Sequence, residues 1–320
     1  MSKPTIRLGT RGSELALKQT QMVTELLEQA HPGMEIEREI IQTLGDKRPD
    51  LRFAEFQSGD QPLVDKGIFI KELEVALKEG RVGAAVHSLK DVPSDLEKDF
   101  VVAAVLRRAA VEDVLVSARP WTLETLPQGA RVGTSSVRRA RQLKWLRPDV
   151  EVVEIRGNVP TRVRKVLGED GLDAVLLAAA GLLRLGMLNA NCSRIRMDEH
   201  TLQALILEPE QFLPAAGQGA IAIETLARSY ETREILKPLN DPDTEARVSA
   251  EREFLRLLGA GCQTPVGAHT WVAEGQLHMA VRVFNEDDTS APPFDAAAEA
   301  PLAEAKALAA ELAAKVKEEA

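Results

Sequence analysis

Cysteine is scarce in this chain, with only Cys192 and Cys262 among 320 residues. That excludes a disulfide-stapled scaffold, which pairs many cysteines within a short length. Aromatic residues are equally thin at 4%, with one Tyr and three Trp, so the stacking platforms that hold single-stranded nucleic acid are missing. A net charge of −9 argues further against a general binder of polyanions. No apolar run reaches the roughly 18–20 residues of a membrane-spanning helix. The polar opening Met1-Ser2-Lys3-Pro4 lacks the layout of a secretion signal. The expectation is a cytoplasmic protein with no nucleic-acid or membrane partner and no metal site. What the chain does have is an apolar content of 44%, enough over this length to bury cores in two or three domains.

The apolar pattern alternates short β-rich runs with amphipathic helical ones. Strands are predicted at 5–9, 35–43, 84–86 and 101–106, with helices at 13–29, capped by Ser13, and at 69–78. After Glu112 a similar pattern begins again, with strands at 113–117, 131–133, 150–155 and 174–178 and helices at 136–146, 159–167 and 181–188. Two α/β units are expected, each built on a mainly parallel sheet with helices on both faces. A strand at 220–224 is placed to return the chain to the first sheet. From about Asp243 the character shifts to a small α+β domain: a helix through Leu258, strands at 266–272 and 277–284, then an alanine-rich helix at 302–317. The stretch Gly45 to Lys66, with Pro49, Gly59, Asp60 and Pro62, has no clear period, and loops of that length are commonly lids or disordered.

Charge is distributed unevenly. Between Arg131 and Lys165 stand ten basic and three acidic residues, a basic block inside an acidic protein. An isolated charge run is usually a solvated helix face; here the arginines gather where strands hand over to helices, the place where α/β folds bind anions. Gly133-Thr134-Ser135-Ser136-Val137-Arg138-Arg139 is such a turn, offering free N–H groups, hydroxyls and two guanidinium forks. Arg156-Gly157-Asn158-Val159-Pro160-Thr161-Arg162 repeats the idea, with Asn158 as helix N-cap, and Thr10-Arg11-Gly12-Ser13 is a third instance. At the end of a buried strand, Ser88-Leu89-Lys90-Asp91-Val92-Pro93 sets a lysine beside an aspartate. That is either a capped turn or a pair of groups addressing a ligand. Three anion turns plus Lys90 imply a ligand rich in negative charge. Cys262 lies between small residues in Gly259-Ala260-Gly261-Cys262-Gln263-Thr264. A lone cysteine is more often a small buried hydrophobe, but these flanks leave its sulfur open to covalent attachment.

These blocks, together with IRLGTRGSELALKQ at 6–19, KGIFIKELE at 66–74, AAAGLLRLG at 178–186, LPAAGQGA at 213–220 and GAGCQTPVGA at 259–268, closely resemble the hydroxymethylbilane synthase (porphobilinogen deaminase) family. They run in the family's order through nearly the whole chain. The resemblance implies two periplasmic-binding-protein-like α/β domains plus a small C-terminal α+β domain. Their bounds would be 1–108 with 216–238, 109–215, and 239–320. It implies an enzyme that deaminates porphobilinogen and joins four molecules head to tail on a covalently bound dipyrromethane, then releases hydroxymethylbilane by hydrolysis.

Residue by residue, the resemblance implies that Cys262 holds dipyrromethane through a thioether and that Asp91 is the catalytic carboxylate. Anion-binding arginines would be Arg11, Arg138, Arg139, Arg156, Arg162 and Arg184. Further binding positions fall on Ser13, Lys90, Thr134, Ser135, Ser136 and Gln218, and Lys66 and Phe69 match the end of a lid. Relatives usually have a shorter lid ending Gly-Gly-Lys-Gly, whereas this chain reads Val64-Asp65-Lys66-Gly67 after a longer stretch. A monomer is expected, with a functional hand-off of product to uroporphyrinogen-III synthase. A non-catalytic solute-binding protein would share two α/β lobes, but it would not explain Cys262 together with Asp91.

Overall fold

The computed structural model describes residues 4–43, 70–168, 171–189, 193–260, 264–286 and 288–319. The expected lid, including Lys66 and Phe69, lies outside the described residues, as do Cys192 and Cys262. The chain forms two compact units, one from residues 1–108 and 220–248, the other from 109–219 and 249–320.

The first unit opens with β1 (Thr5–Thr10), α1 (Glu14–Ala30) and β2 (Glu35–Ile40), followed by α2 (Lys71–Lys78), β3 (Ala84–Ser88) and β4 (Phe100–Val105). Strand β1 pairs in parallel with β2 on one side and β3 on the other. Apolar side chains on both faces explain the double-sided cover. Val23 and Leu27 of α1 pack with Leu8, Ala84 and Val86, while Leu73, Ala76 and Leu77 of α2 pack with Val82 and Ala85.

The second unit repeats this plan. Strand β5 (Asp113–Ser117) is followed by β6 (Arg131–Gly133), α3 (Val137–Leu146), β7 (Glu151–Val153), α4 (Val159–Arg164), β8 (Ala174–Ala178) and α5 (Ala179–Arg184). A hairpin of β9 (Arg194–Met197) and β10 (His200–Leu207) completes its α/β sheet, in the order β7-β6-β8-β5-β10-β9. Side chains alternate along β8: Ala174 and Leu176 meet Leu143 of α3, and Val175 and Leu177 meet Val163 and Leu182 on the opposite face.

The chain then returns to the first unit as β11 (Ile221–Leu226), which lies between β3 and β4 and is antiparallel to both. Helices α6 (Tyr230–Leu236) and α7 (Pro242–Leu258) lead to a separate three-stranded antiparallel sheet, β12 (Val266–Ala273), β13 (Gln276–Val283) and β14 (Phe294–Pro301), and to α8 (Ala305–Glu319). Phe254, Val266, Leu277, Met279, Leu308 and Leu312 form the core of this layer.

The α/β class is the one expected: two sheets flanked by helices, and a small α+β layer. The expectation of mainly parallel sheets is corrected, because among the described residues only β1–β2, β1–β3, β6–β7 and β6–β8 pair in parallel. In a strand buried on both faces, the apolar pattern carries no direction. At the junction before β11, Gly219 has φ +85°, and a Cβ there would stand 2.6 Å from the Ala109 carbonyl oxygen, so only glycine fits this close approach. Among the described residues no helix is long and apolar enough to cross a membrane.

Candidate functional site

In each unit the helices flanking two neighbouring parallel strands lie on opposite faces of the sheet, which opens a crevice at the strands' carboxyl ends. In the first unit the crevice lies beyond β1 and β3. Ser13 leaves β1 in an extended conformation and caps α1, its Oγ accepting from the Ala16 N–H at 3.3 Å. Gln19, one and a half turns into α1, donates from Nε2 to Ser88 Oγ at 2.7 Å and so ties α1 to the end of β3. A small, partly open pocket lies here, lined by Arg11, Ser13, Gln19, Ser88 and Asp91 among others.

Asp91 ends a single 3₁₀ turn, Leu89–Asp91, anchored to β11 through the Leu89 N–H to Ala220 carbonyl bond of 3.0 Å. Its carboxylate is half-buried, and among the described residues it makes no hydrogen bond or ion pair. A capped turn would have engaged that carboxylate; here the described residues leave it unengaged. Lys90 beside it is also half-buried.

Beneath this crevice, His87 Nε2 lies 3.0 Å from Oε2 of Glu224, both side chains buried. Glu74 on α2 feels this pair. Burial, then the negative charges of Glu224 and Glu97, pushes its carboxyl up from 4.5 to about 7. A raised carboxyl means that the folded chain binds a proton the unfolded chain releases. The stabilisation from that proton is full below about pH 4.5 and is lost as pH rises through about 7. Glu74→Gln is therefore expected to raise the Tm at pH 8 and leave it unchanged near pH 4, as measured by thermal melts across that range.

The second crevice lies beyond β6 and β8. Thr134 is buried and accepts from the Ser136 N–H at 3.2 Å, and Ser136 caps α3. Ser135 is half-buried between them. Arg138 and Arg139, on the first turn of α3, are both buried. Arg139 donates from Nε (3.0 Å) and Nη2 (2.7 Å) to one oxygen of Asp113, and from Nη1 to the Leu176 carbonyl at 3.1 Å. Arg138 places Nη1 2.8 Å from the other oxygen of Asp113, an ion-pair contact, and donates to the Leu213 carbonyl at 2.5 Å. Gln218, fully buried, donates to Asp113 at 2.9 Å and to the Val111 carbonyl at 2.7 Å. Burial alone would push the Asp113 carboxyl up, but the charges of Arg138 and Arg139 more than offset it and hold it well below the usual carboxylate range.

Arg184 sits differently. It donates from Nη2 to the Gly219 carbonyl at 2.7 Å, its Nε is buried without a partner, and no carboxylate faces it among the described residues. Burial pushes its guanidinium down to about 10. Arg184 is half-buried, and a partly desolvated cation without a counter-charge costs some stability unless a ligand supplies the anion. Arg156 pairs with Glu154 at 2.6 Å, and Arg162 donates to the Gly157 carbonyl at 2.8 Å, in the turn that Asn158 caps by accepting from the Thr161 N–H. Both arginines are half-buried.

The structure thus gathers Arg11, Ser13 and Asp91 at one crevice, with Lys90 next to Asp91 in sequence, and Thr134, Ser136, Arg138, Arg139 and Gln218 in or beside the other. Asp113, Gln19, Glu74 and Glu224 escaped the sequence reading. Their available signal was a charged or amide residue within an apolar run, as in Asp113-Val114-Leu115-Val116 and Ile221-Ala222-Ile223-Glu224.

Comparison with known proteins meets this geometry. Residues 6–234 match the family described as "Porphobilinogen deaminase, dipyromethane cofactor binding domain", and residues 246–318 match "Porphobilinogen deaminase, C-terminal domain". A porphobilinogen deaminase of Syntrophobacter fumaroxidans is 44% identical over 90% of this chain and 86% of its own length. One from a Roseiflexus species is 46% identical over 83% of this chain and 81% of its own. One from Syntrophotalea carbinolica is 42% identical over 98% and 92%. With identity at this level reaching across both crevices and the C-terminal layer, the chain belongs to the porphobilinogen deaminase family.

Proposed function

We propose that Asp91 is the catalytic carboxylate and that the arginines at the strand-to-helix turns hold the acetate and propionate groups of substrate and growing product. The activity is that of the family: porphobilinogen is deaminated and four units are joined head to tail on dipyrromethane, and hydroxymethylbilane is released by hydrolysis. The observation that carries the residue assignment is the Asp91 carboxylate, half-buried at the pocket beside Arg11 and unengaged by the described residues. Loss of ammonia from porphobilinogen leaves a cationic azafulvene. A carboxylate that accepts the pyrrole N–H stabilises this charge as it develops, in a setting where water competes weakly. Each pyrrole brings two carboxylates, so a lengthening chain needs more than one cation.

The residues present fit dipyrromethane. The buried, partnerless Nε atoms of Arg138 and Arg184 are donors that await carboxylate oxygens. When bound, dipyrromethane supplies the terminal pyrrole carbon to which the first substrate unit is joined. Cys262 is the proposed attachment point, Arg156, Arg162, Thr134, Ser135 and Ser136 are the proposed further anion contacts, and Lys66 and Phe69 the proposed cover. The reading includes the three-domain division at 1–108 with 216–238, 109–215 and 239–320. It also includes a cytoplasmic monomer that hands its product to uroporphyrinogen-III synthase. The direct test is release of ammonia from porphobilinogen by the purified protein; binding without ammonia release would identify a solute-binding protein instead.

Arg184 offers a second test. If its buried charge waits for a carboxylate, Arg184→Met should raise the KM for porphobilinogen roughly tenfold to a hundredfold, the value of a charge-assisted hydrogen bond. The Tm should not fall, because a half-buried cation without a counter-charge is replaced by an apolar side chain of similar length. A structural arginine would behave the other way, losing Tm and keeping KM.

A further inference from the structure

We propose that Asp113 is a positioning residue that aims Arg138 at a ligand carboxylate. The inference rests on the reading that the α3 arginines bind anions. Asp113 is fully buried at the start of β5 and does not reach solvent. Its two oxygens divide the arginines between them. One receives Nε and Nη2 of Arg139, the lateral fork of that guanidinium, and also Gln218; the other makes no hydrogen bond among the described residues and stands in ion-pair contact with Nη1 of Arg138 at 2.8 Å. Arg139 thereby spends its fork on the protein.

Arg138 does not. With Nη1 donating to the Leu213 carbonyl and in ion-pair contact with Asp113, its own Nε–Nη2 fork makes no bond among the described residues, and its Nε is buried without a partner. A guanidinium fork of that kind matches a carboxylate bidentately. The same contact anchors the segment that carries Gln218, since Leu213 is gripped at its carbonyl by Arg138 and Gln142 and at its N–H by Gln142 at 2.8 Å. One carboxylate therefore fixes the direction of one cation and offsets part of the charge of two. A carboxylate that served only to balance charge would not need to leave one particular fork empty.

The test separates orientation from charge. Asp113→Asn is made in the wild-type chain and also in an Arg139→Gln background, where one cation and one anion are lost together and the fold keeps its charge balance. Intact mass identifies molecules that carry dipyrromethane, and kinetics are read on those. Asp113→Asn is expected to raise the KM for porphobilinogen at least tenfold with kcat within about threefold. In the Arg139→Gln background, adding Asp113→Asn should raise KM at least fivefold over Arg139→Gln alone. A KM within twofold of the respective parent, in folded and loaded protein, would overturn the proposal even if Tm drops. A wild-type chain without dipyrromethane or ammonia release would instead remove the reading on which it rests.

Discussion

Asp91→Asn should keep the fold and the bound dipyrromethane while kcat for ammonia release falls on the order of 10²- to 10³-fold, the usual cost of removing one preorganised electrostatic contact from a transition state. The substitution is nearly isosteric, and the described residues make no bond to this carboxylate that the amide would break. Local structure therefore has little reason to change: the 3₁₀ turn is held by backbone bonds, from Leu89 N–H to Ala220 and from Val92 N–H to Leu89. On the proposed reading, what disappears is the negative charge facing the azafulvene. Because that charge matters most as ammonia departs, the loss should appear in kcat more than in KM. Near-normal turnover, measured as ammonia released per protein by a coupled assay, would remove Asp91 from the mechanism.

Cys262→Ser should yield protein of bare polypeptide mass with no measurable turnover. Tethering requires a nucleophile that is appreciably ionised near neutral pH. A thiol meets that condition far better than a hydroxyl, whose pKa lies many units higher. The serine retains size and hydrogen-bonding capacity, so a purely structural cysteine would tolerate the change. Loss of the tether leaves the arginines, and Arg184 above all, without an anion held in place. The variant is thus expected to melt at lower temperature than loaded wild type, because only the folded chain forms the arginine contacts to the tethered group.

Much of the fold was legible because its signals are local. Ser13 and Asn158 cap their helices as the sequence reading placed them, and the strands 113–117, 131–133 and 174–178 fall at the predicted residues. Strand direction was not legible, since β11 and β5 are buried on both faces and their sequences read alike in either sense. Strand β14 was missed for another reason. Its sequence Phe294-Asp295-Ala296-Ala297-Ala298-Glu299 favours helix locally, and pairing along β13 overrides that preference. The hairpin of β9 and β10 likewise escaped notice.

For the site, the residues that bear chemistry stood in recognisable turns, while those that hold them did not. Arg138 and Arg139 announced themselves as a pair; that a single buried Asp113 divides them depends on a contact between residues 25 and 26 apart. Glu224 and His87 meet across β11 and β3, 137 positions apart in sequence. Such partners follow from sheet order, which no period in the sequence encodes.

The central claim is that this chain builds its product on a group covalently fixed to itself. Intact mass of the purified wild-type protein, before and after addition of porphobilinogen, tests it most directly. The account predicts a mass above the polypeptide by one dipyrromethane, then a series of heavier species spaced by one deaminated porphobilinogen unit. A mass equal to the bare polypeptide in both samples, from a preparation that releases ammonia, would contradict it.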